Sequence, residues 1–217
     1  MTKIIGHRGA RGLAPENTVR SIEVALAHHV DGVEIDARVT HDNIVILSHN
    51  PTVGTLRIHE ENYVALKKQK PNLATLEEAI TATRGRCALL VEIKPKEPVA
   101  PIIRIVRQEL VSNKKANISI LSFSQSILRQ VHTELPQATL VVNEKWSSLR
   151  ARWRMHQLNT KQLQMNQRWL WRGFLRALYR SGIQITPYTV NRPEQVVHWT
   201  PYIDGIITDY PDRFVRK

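Results

Sequence analysis

Ile4-Ile5-Gly6-His7-Arg8-Gly9, followed further on by Gly32-Val33-Glu34-Ile35-Asp36, decides how this chain folds. Each stretch is a short apolar run that stops abruptly in charged or titratable residues. Between them, residues 16–29 repeat apolar side chains at a period near 3.6, which marks an amphipathic helix. Strand, helix, strand is the unit that lays two strands parallel with the helix outside. The same alternation continues to the end of the chain. Further strand-like runs lie at 44–48, 87–93, 118–123, 139–142, 184–190 and 203–208. Helical patterns lie at 75–84, 98–112, 124–134, 166–181 and 192–200. Asn17 or Thr18 is placed to cap the first helix, Thr75 stands before Glu77-Glu78, Ser124 opens a later helix, and Gly182 closes the helix at 166–181. The best candidate for the sixth strand is 155–158. About eight such units predict a compact (β/α)8 TIM barrel with few insertions. An open doubly wound sheet is the alternative, but no Gly-rich dinucleotide loop follows the first strand.

The chain has 217 residues, enough for one domain with a substantial core, and it shows no linker, low-complexity tract or repeat. A single domain over 1–217 is expected. No apolar run is long enough to span a bilayer, and no secretory signal precedes the first strand, so a cytoplasmic protein is expected. The lone Cys87 excludes an internal disulfide, and its apolar neighbours suggest an inert thiol.

The formal net charge of +12 is unevenly distributed. Residues 145–180 hold nine Lys and Arg, four Trp and no acidic residue. The plain reading is an outer barrel helix with solvated arginines. The functional reading is peripheral contact with anionic membrane, because Trp and Arg both suit the headgroup interface. Nucleic acid is not expected, since no recognition motif accompanies the charge. Oligomerisation signals are absent, so a monomer is expected.

In a barrel, residues at the C-terminal ends of the strands face the mouth, where active sites of this fold are built. His7 and Arg8 end the first strand, and Glu34 and Asp36 lie toward the end of the second. His49 follows the run Ile44-Val45-Ile46-Leu47, and Cys87-Ala88-Leu89-Leu90-Val91 finishes in Glu92-Ile93-Lys94. Taken singly, each feature has a plain explanation. Glu-x-Asp suits a solvated sheet face, Glu92-x-Lys94 suits a same-face salt bridge, and either histidine suits a structural role. Their joint appearance at the ends of strands apolar on both faces argues for a site. Residues two apart on a strand share a face, so Glu34 and Asp36 project side by side. Two such carboxylates repel, and a divalent cation between them relieves the repulsion. Histidine moves protons and arginine grips anions, so the outline is a metal-assisted site for a phosphate ester.

The chain resembles the glycerophosphodiester phosphodiesterases, in particular the short cytoplasmic bacterial type. The residues carrying the likeness are Gly6-His7-Arg8-Gly9, Pro15-Glu16-Asn17-Thr18, Glu34-Ile35-Asp36, Ser48-His49, Leu76-Glu77-Glu78-Ala79, Val91-Glu92-Ile93-Lys94-Pro95, Ser122-Phe123, Thr189-Val190-Asn191 and Asp204-Gly205-Ile206-Ile207-Thr208-Asp209-Tyr210-Pro211. The resemblance implies the same barrel, dependence on Mg²⁺ or Ca²⁺, and hydrolysis to sn-glycerol 3-phosphate and an alcohol. It also implies that Glu34, Asp36 and Glu92 bind the metal, that His7 and His49 are the acid–base pair, and that Arg8 and Lys94 contact the phosphate. Of the histidines, His7 is favoured as base and His49 as acid. The chain departs from the family pattern at two positions. Asn50 follows His49 where aspartate is usual, and Tyr188 stands where tryptophan is frequent, still able to flank a glycerol backbone. Two alternatives remain, a membrane-associated lysophospholipase D and a non-catalytic binder of phospholipid headgroups. A phosphatidylinositol-type phospholipase C is disfavoured, because it would dispense with the three carboxylates.

Overall fold

A computed structural model describes residues 2–214. β1 (Lys3–His7) leads through α1 (Val19–Ala27) to β2 (Gly32–Val39), and β3 (Val45–Leu47) folds back antiparallel on β2. A small hairpin of β4 (Thr52–Val53) and β5 (Leu56–Arg57) follows, with α2 (Tyr63–Gln69) behind it. The alternation then resumes as α3 (Leu76–Thr83), β6 (Ala88–Ile93), α4 (Ala100–Ser112), β7 (Ile118–Ser122) and α5 (Gln125–Glu134). It ends with β8 (Thr139–Glu144), α6 (Ser148–Gln157), β9 (Gln162–Asn166), α7 (Arg172–Arg180), β10 (Gln184–Tyr188), α8 (Pro193–Trp199) and β11 (Gly205–Thr208).

Neighbouring strands run in the order β10-β9-β8-β7-β6-β2-β1-β11, all parallel, and make a nearly closed TIM barrel. The seam between β10 and β11 is stitched by isolated hydrogen bonds. The Asp204 amide donates to Ile185 O at 3.0 Å, and the Val190 amide donates to Ile207 O at 2.8 Å. No helix among the described residues is long and apolar enough to cross a membrane.

Three expectations change. The run at 44–48 is not a barrel strand, because β3 pairs antiparallel with the outer end of β2 and leaves the barrel path. Residues 155–158 are not the sixth strand: Met155 lies inside α6 and Leu158 caps its C-terminus. The strand in that place is β9, whose Gln-Leu-Gln-Met-Asn pattern has polar residues on its lumen side. The helix at 166–181 begins later, at Arg172, after a 3₁₀ turn over Gln167–Trp169.

The period-two pattern of the strands sorts their side chains. Val33, Ile35, Leu89, Val91, Ile93, Leu163 and Met165 point outward into the core shared with the helices. Inside the barrel, Ile5, Leu90, Leu121, Val141 and Ile207 form a closed apolar layer. One step further along the same strands the lumen side turns polar, with His7, Glu34, Asp36, Glu92, Asn143 and Gln164. The apolar layer is therefore the floor of the site. A third cluster of Ile46, Val53, Ile58, Leu66 and Leu73 anchors the segment that carries β3 to the barrel's flank.

Local sequence fixes the helix starts. Thr18, not Asn17, caps α1: its hydroxyl accepts from the Ser21 amide, and the Ser21 hydroxyl accepts from the Thr18 amide. Thr75 and Glu78 repeat this box at α3, and Ser124 caps α5.

Arg154, counted above among the basic surface residues, is buried. Its guanidinium donates to Asn143 O at 2.6 Å, Ser122 O at 2.9 Å and Gln125 Oε1 at 3.0 Å, so it ties the ends of β7 and β8 to α6. Arg154→Leu leaves those buried carbonyls without donors and is expected to cost about 3 kcal/mol. A denaturant midpoint corresponding to less than about 1 kcal/mol would contradict that structural role.

Candidate active site

The residues after β1 are held in a tight turn. Arg8 (φ 51°) and Gly9 (φ 85°) both take left-handed backbone conformations. A Cβ at Gly6 would stand 2.3 Å from Gly9 O, so only glycine admits this close approach. The turn brings the Arg8 amide to 3.1 Å from Glu34 Oε2 and places His7 opposite Glu34 in the β1–β2 register. In the β2–β6 register Asp36 stands opposite Glu92. Strand pairing alone therefore assembles His7 and the three carboxylates at one rim. Oxygens of Glu34, Asp36 and Glu92 all lie within 4.8 Å of one another, and all three side chains are buried.

Two cations face this cluster. Lys94 Nζ lies 2.5 Å from both Asp36 Oδ1 and Glu92 Oε1, while Arg8 Nε lies 3.1 Å from Asp36 Oδ2. Arg8 also binds both oxygens of Glu16, at 2.9 and 3.0 Å. Asn17 donates to Asp36 Oδ2 at 2.9 Å and accepts the Asp36 amide at 3.1 Å, and Asn143 donates to Glu92 Oε2 at 3.1 Å.

The electrostatic outcome differs for each acid. Burial works against ionisation of Asp36, yet Lys94 and Arg8 outweigh it and hold the carboxyl below its ordinary range. Burial raises Glu92 despite Lys94. Glu34 is pushed well above the usual carboxylate range, first by burial and then by the charges of Asp36 and Glu92. Its nearest ionic partner is His7 Nε2 at 4.0 Å. Glu34 is thus the carboxylate whose charge the protein's own cations leave least compensated. Three buried oxygen donors with an undercompensated charge fit a hard divalent cation.

The two histidines sit in unlike surroundings. His7 Nδ1 lies 2.6 Å from Asp209 Oδ1, just beyond β11. Asn191 donates to Asp209 Oδ2 at 2.8 Å and accepts the Asp209 amide at 2.9 Å, which fixes that carboxylate. Burial opposes its ionisation, but the hydrogen bonds from His7 and Asn191 keep Asp209 below its ordinary range. The Nδ1 contact leaves Nε2 of His7 on the Glu34 side. His49 stands outside the barrel proper, on the turn after β3, with Nδ1 3.1 Å from Asn50 Oδ1. Arg38 clasps its carbonyl from Nε at 3.2 Å and Nη2 at 2.9 Å, and is itself paired with Glu97 at 2.6 Å. Burial, then Lys94 and Arg8, lower the His49 pKa, so its imidazole is biased toward the neutral form.

All eight residues expected at the site, His7, Arg8, Glu34, Asp36, His49, Glu92, Lys94 and Tyr188, line one cavity of about 540 Å³ at the C-terminal end of the barrel. The Tyr188 hydroxyl is committed to Glu144 O at 3.0 Å, so the ring forms the wall. Its ring meets Phe123 edge-on at 6.2 Å, and Lys145 Nζ lies 5.3 Å from the Phe123 centroid. Sequence reasoning gave no role in the site to Asp209, Asn17, Asn143 or Arg38. Asp209 and Asn17 do lie within the motifs quoted above, and Asp209 faces His7 across nearly the whole length of the chain.

A TIM barrel whose mouth gathers two imidazoles and three buried carboxylates has the parts of a metal-assisted hydrolase. The glycerophosphoryl diester phosphodiesterase family matches residues 7–213, and the chain belongs to that family. A glycerophosphodiester phosphodiesterase of Bacillus altitudinis is 26% identical over 239 residues, covering 100% of this chain and 98% of the relative. One from Caldanaerobacter subterraneus is 25% identical over 243 residues, covering 99% and 97%. Among solved structures, an Oleispira antarctica phosphodiesterase in complex with the product sn-glycerol-3-phosphate superposes with a TM-score of 0.87. It shares 21% identity, with 98% of this chain and 95% of that one covered. The Thermotoga maritima glycerophosphodiester phosphodiesterase has a TM-score of 0.83 and 24% identity, with 99% and 97% covered.

Proposed function

We propose that this chain hydrolyses glycerophosphodiesters to sn-glycerol 3-phosphate and an alcohol, with Mg²⁺ or Ca²⁺ held by Glu34, Asp36 and Glu92. The observation that carries the reading is the convergence of those buried carboxylates with His7 at the rim of a family-matched barrel. The product bound to the Oleispira protein supports the same substrate class. When bound, the cation supplies Lewis-acid polarisation of the phosphoryl group.

The chain's own residues do the rest. Arg8 and Lys94 place positive charge against the phosphoryl oxygens, where negative charge builds in the transition state. His49, biased neutral and without a carboxylate partner, accepts the proton of the attacking oxygen, which belongs to water or to the neighbouring glycerol hydroxyl. His7, whose ring the Asp209 carboxylate holds through Nδ1, gives its Nε2 proton to the departing alkoxide as the phosphorus–oxygen bond breaks. This assignment reverses the order favoured from the sequence, and its basis is the contrast between Asp209 and Asn50 as partners. After attack by water the products are one phosphomonoester and one alcohol. After attack by the glycerol hydroxyl, water then opens the cyclic phosphate. The Tyr188 ring flanks the substrate backbone.

The exposed tryptophans beside the mouth favour a second reading, a lysophospholipase D at the membrane. Measuring glycerol 3-phosphate release from several glycerophosphodiesters, and release of lysophosphatidate and the headgroup alcohol from lysophospholipids, separates the two. Turnover of the soluble diesters is expected. Silence on every substrate would leave only a headgroup-binding module. A cytoplasmic setting is part of the proposal, because reducing conditions keep a lone thiol free, and burial lifts Cys87 to about 11 and makes it inert.

Metal affinity should depend on pH with a definite sign. Glu34 keeps its proton to a pH well above its ordinary value of 4.5, and a bound cation needs the carboxylate. Binding therefore releases a proton in that range, and the Kd for Mg²⁺ or Ca²⁺ weakens as pH falls through the raised value. Calorimetry in buffers of different ionisation enthalpy measures this, and a Kd flat with pH would contradict it.

A further inference from the structure

We infer that the barrel surface beside the mouth docks on an anionic bilayer, inserting Trp146, Trp169 and Trp171 and holding headgroups with the arginines of α7. Every exposed tryptophan of the described residues falls in the acid-free basic segment, namely Trp146 (59%), Trp153 (53%), Trp169 (55%) and Trp171 (66%), and Leu149 is 80% exposed. Rings and a leucine this open to water are costly unless something apolar covers them.

Their position is what matters. Lys145 and Asn166 are walls of the cavity. Trp146 directly follows the first, and Trp169 and Trp171 closely follow the second, so both loops leave the barrel at its open end. Leu149 and Trp153 stand four apart on one exposed side of α6, and Trp146 lies just before its N-cap, Ser147. On α7, Arg172, Arg176 and Arg180 stand four apart on one exposed face. No carboxylate among the described residues lies within salt-bridge distance of any of the three. Their charge is free for an outside partner. Trp171 lies against Gly173, where a Cβ would come within 2.1 Å of the ring, so a glycine in the first turn of α7 makes room for it.

Not all of the basic segment takes part. Arg154 is buried, and Arg150 is spent on Glu144 at 2.5 Å. What remains is a pairing of aromatic and aliphatic side chains with unpartnered guanidinium groups, the chemistry of a headgroup interface. A nucleic acid would satisfy the arginines and leave the exposed Trp146, Leu149 and Trp153 in water, so these apolar side chains decide for the bilayer. That this posture would feed lipid-borne diesters into the cavity rests on the activity proposed above, whereas the docking itself does not.

Binding alone tests the docking. The intact chain is mixed at low ionic strength with vesicles of phosphatidylcholine and phosphatidylglycerol, and separately with phosphatidylcholine alone. Sedimentation with the mixed vesicles only is expected, reversed by high salt as the charges are screened. Tryptophan emission should shift to the blue and be quenched by brominated acyl chains. R172Q/R176Q/R180Q should weaken partitioning by about a hundredfold, given roughly 1 kcal/mol per headgroup contact. W169S/W171S should lose most of the blue shift. Circular dichroism and melting establish that each variant is folded. If the triple arginine variant misfolds, the tryptophan pair decides. No sedimentation at low salt, equal binding to neutral vesicles, or tighter binding to a DNA duplex than to anionic vesicles would overturn the docking. Inactivity of a chain that binds vesicles as described would overturn only the proposed activity.

Discussion

His7→Ala is expected to lower glycerophosphodiester turnover by roughly a thousandfold or more, with the melting transition little changed. The imidazole lines the cavity, and its removal leaves the Gly6–Gly9 turn and the β1–β2 pairing in place. Asp209→Asn is the more discriminating variant. It keeps the shape but replaces the carboxylate 2.6 Å from Nδ1 with an amide, so the tautomer and orientation of the His7 ring are no longer fixed. A fall of about a hundredfold or more in kcat/KM, with the melting transition little changed, is the expected result. An unchanged kcat/KM would remove the pair from the proton transfers.

Chelation is expected to abolish turnover, and Mg²⁺ or Ca²⁺ to restore it. Glu34→Gln should weaken cation binding by more than the 10- to 100-fold typical of losing a supporting residue, because it deletes an oxygen donor itself. It should also reduce the pH dependence of binding, since the carboxyl pushed well above its ordinary range is gone and only Glu92 among the ligands keeps a raised pKa. Lys94 and Arg8 would still neutralise Asp36, so the variant is expected to fold. Full activity in EDTA would defeat the metal assignment. Chelator sensitivity lost without any change in cation affinity would place the ligands elsewhere.

Much of this site was legible from sequence, because β6 is apolar on both faces until its charged end and β2 alternates apolar with charged side chains, which puts its two acids on one face. Alternation then fixes which residues share the lumen. β9 was missed for the converse reason. Its inward Gln164 and Asn166 line the cavity, so the strand lost the apolar face by which strands are recognised. Asp209 carried no readable role because its partner lies 202 residues away, and only barrel closure brings them together. Arg154 was legible in principle. It lies on the same stripe as Ala151, Met155 and Leu158, all buried, yet charge alone assigned it to the surface.

The placement of His49 has a bearing on how such a protein changes over time. His7 is built into the cylinder wall, whereas His49 rides on an appended flap with its own small apolar anchor. Lengthening or shortening that flap leaves every barrel ladder intact. In the mechanism proposed above, the spacing between the two imidazoles is therefore open to adjustment for a bulkier or slimmer diester without re-engineering the scaffold.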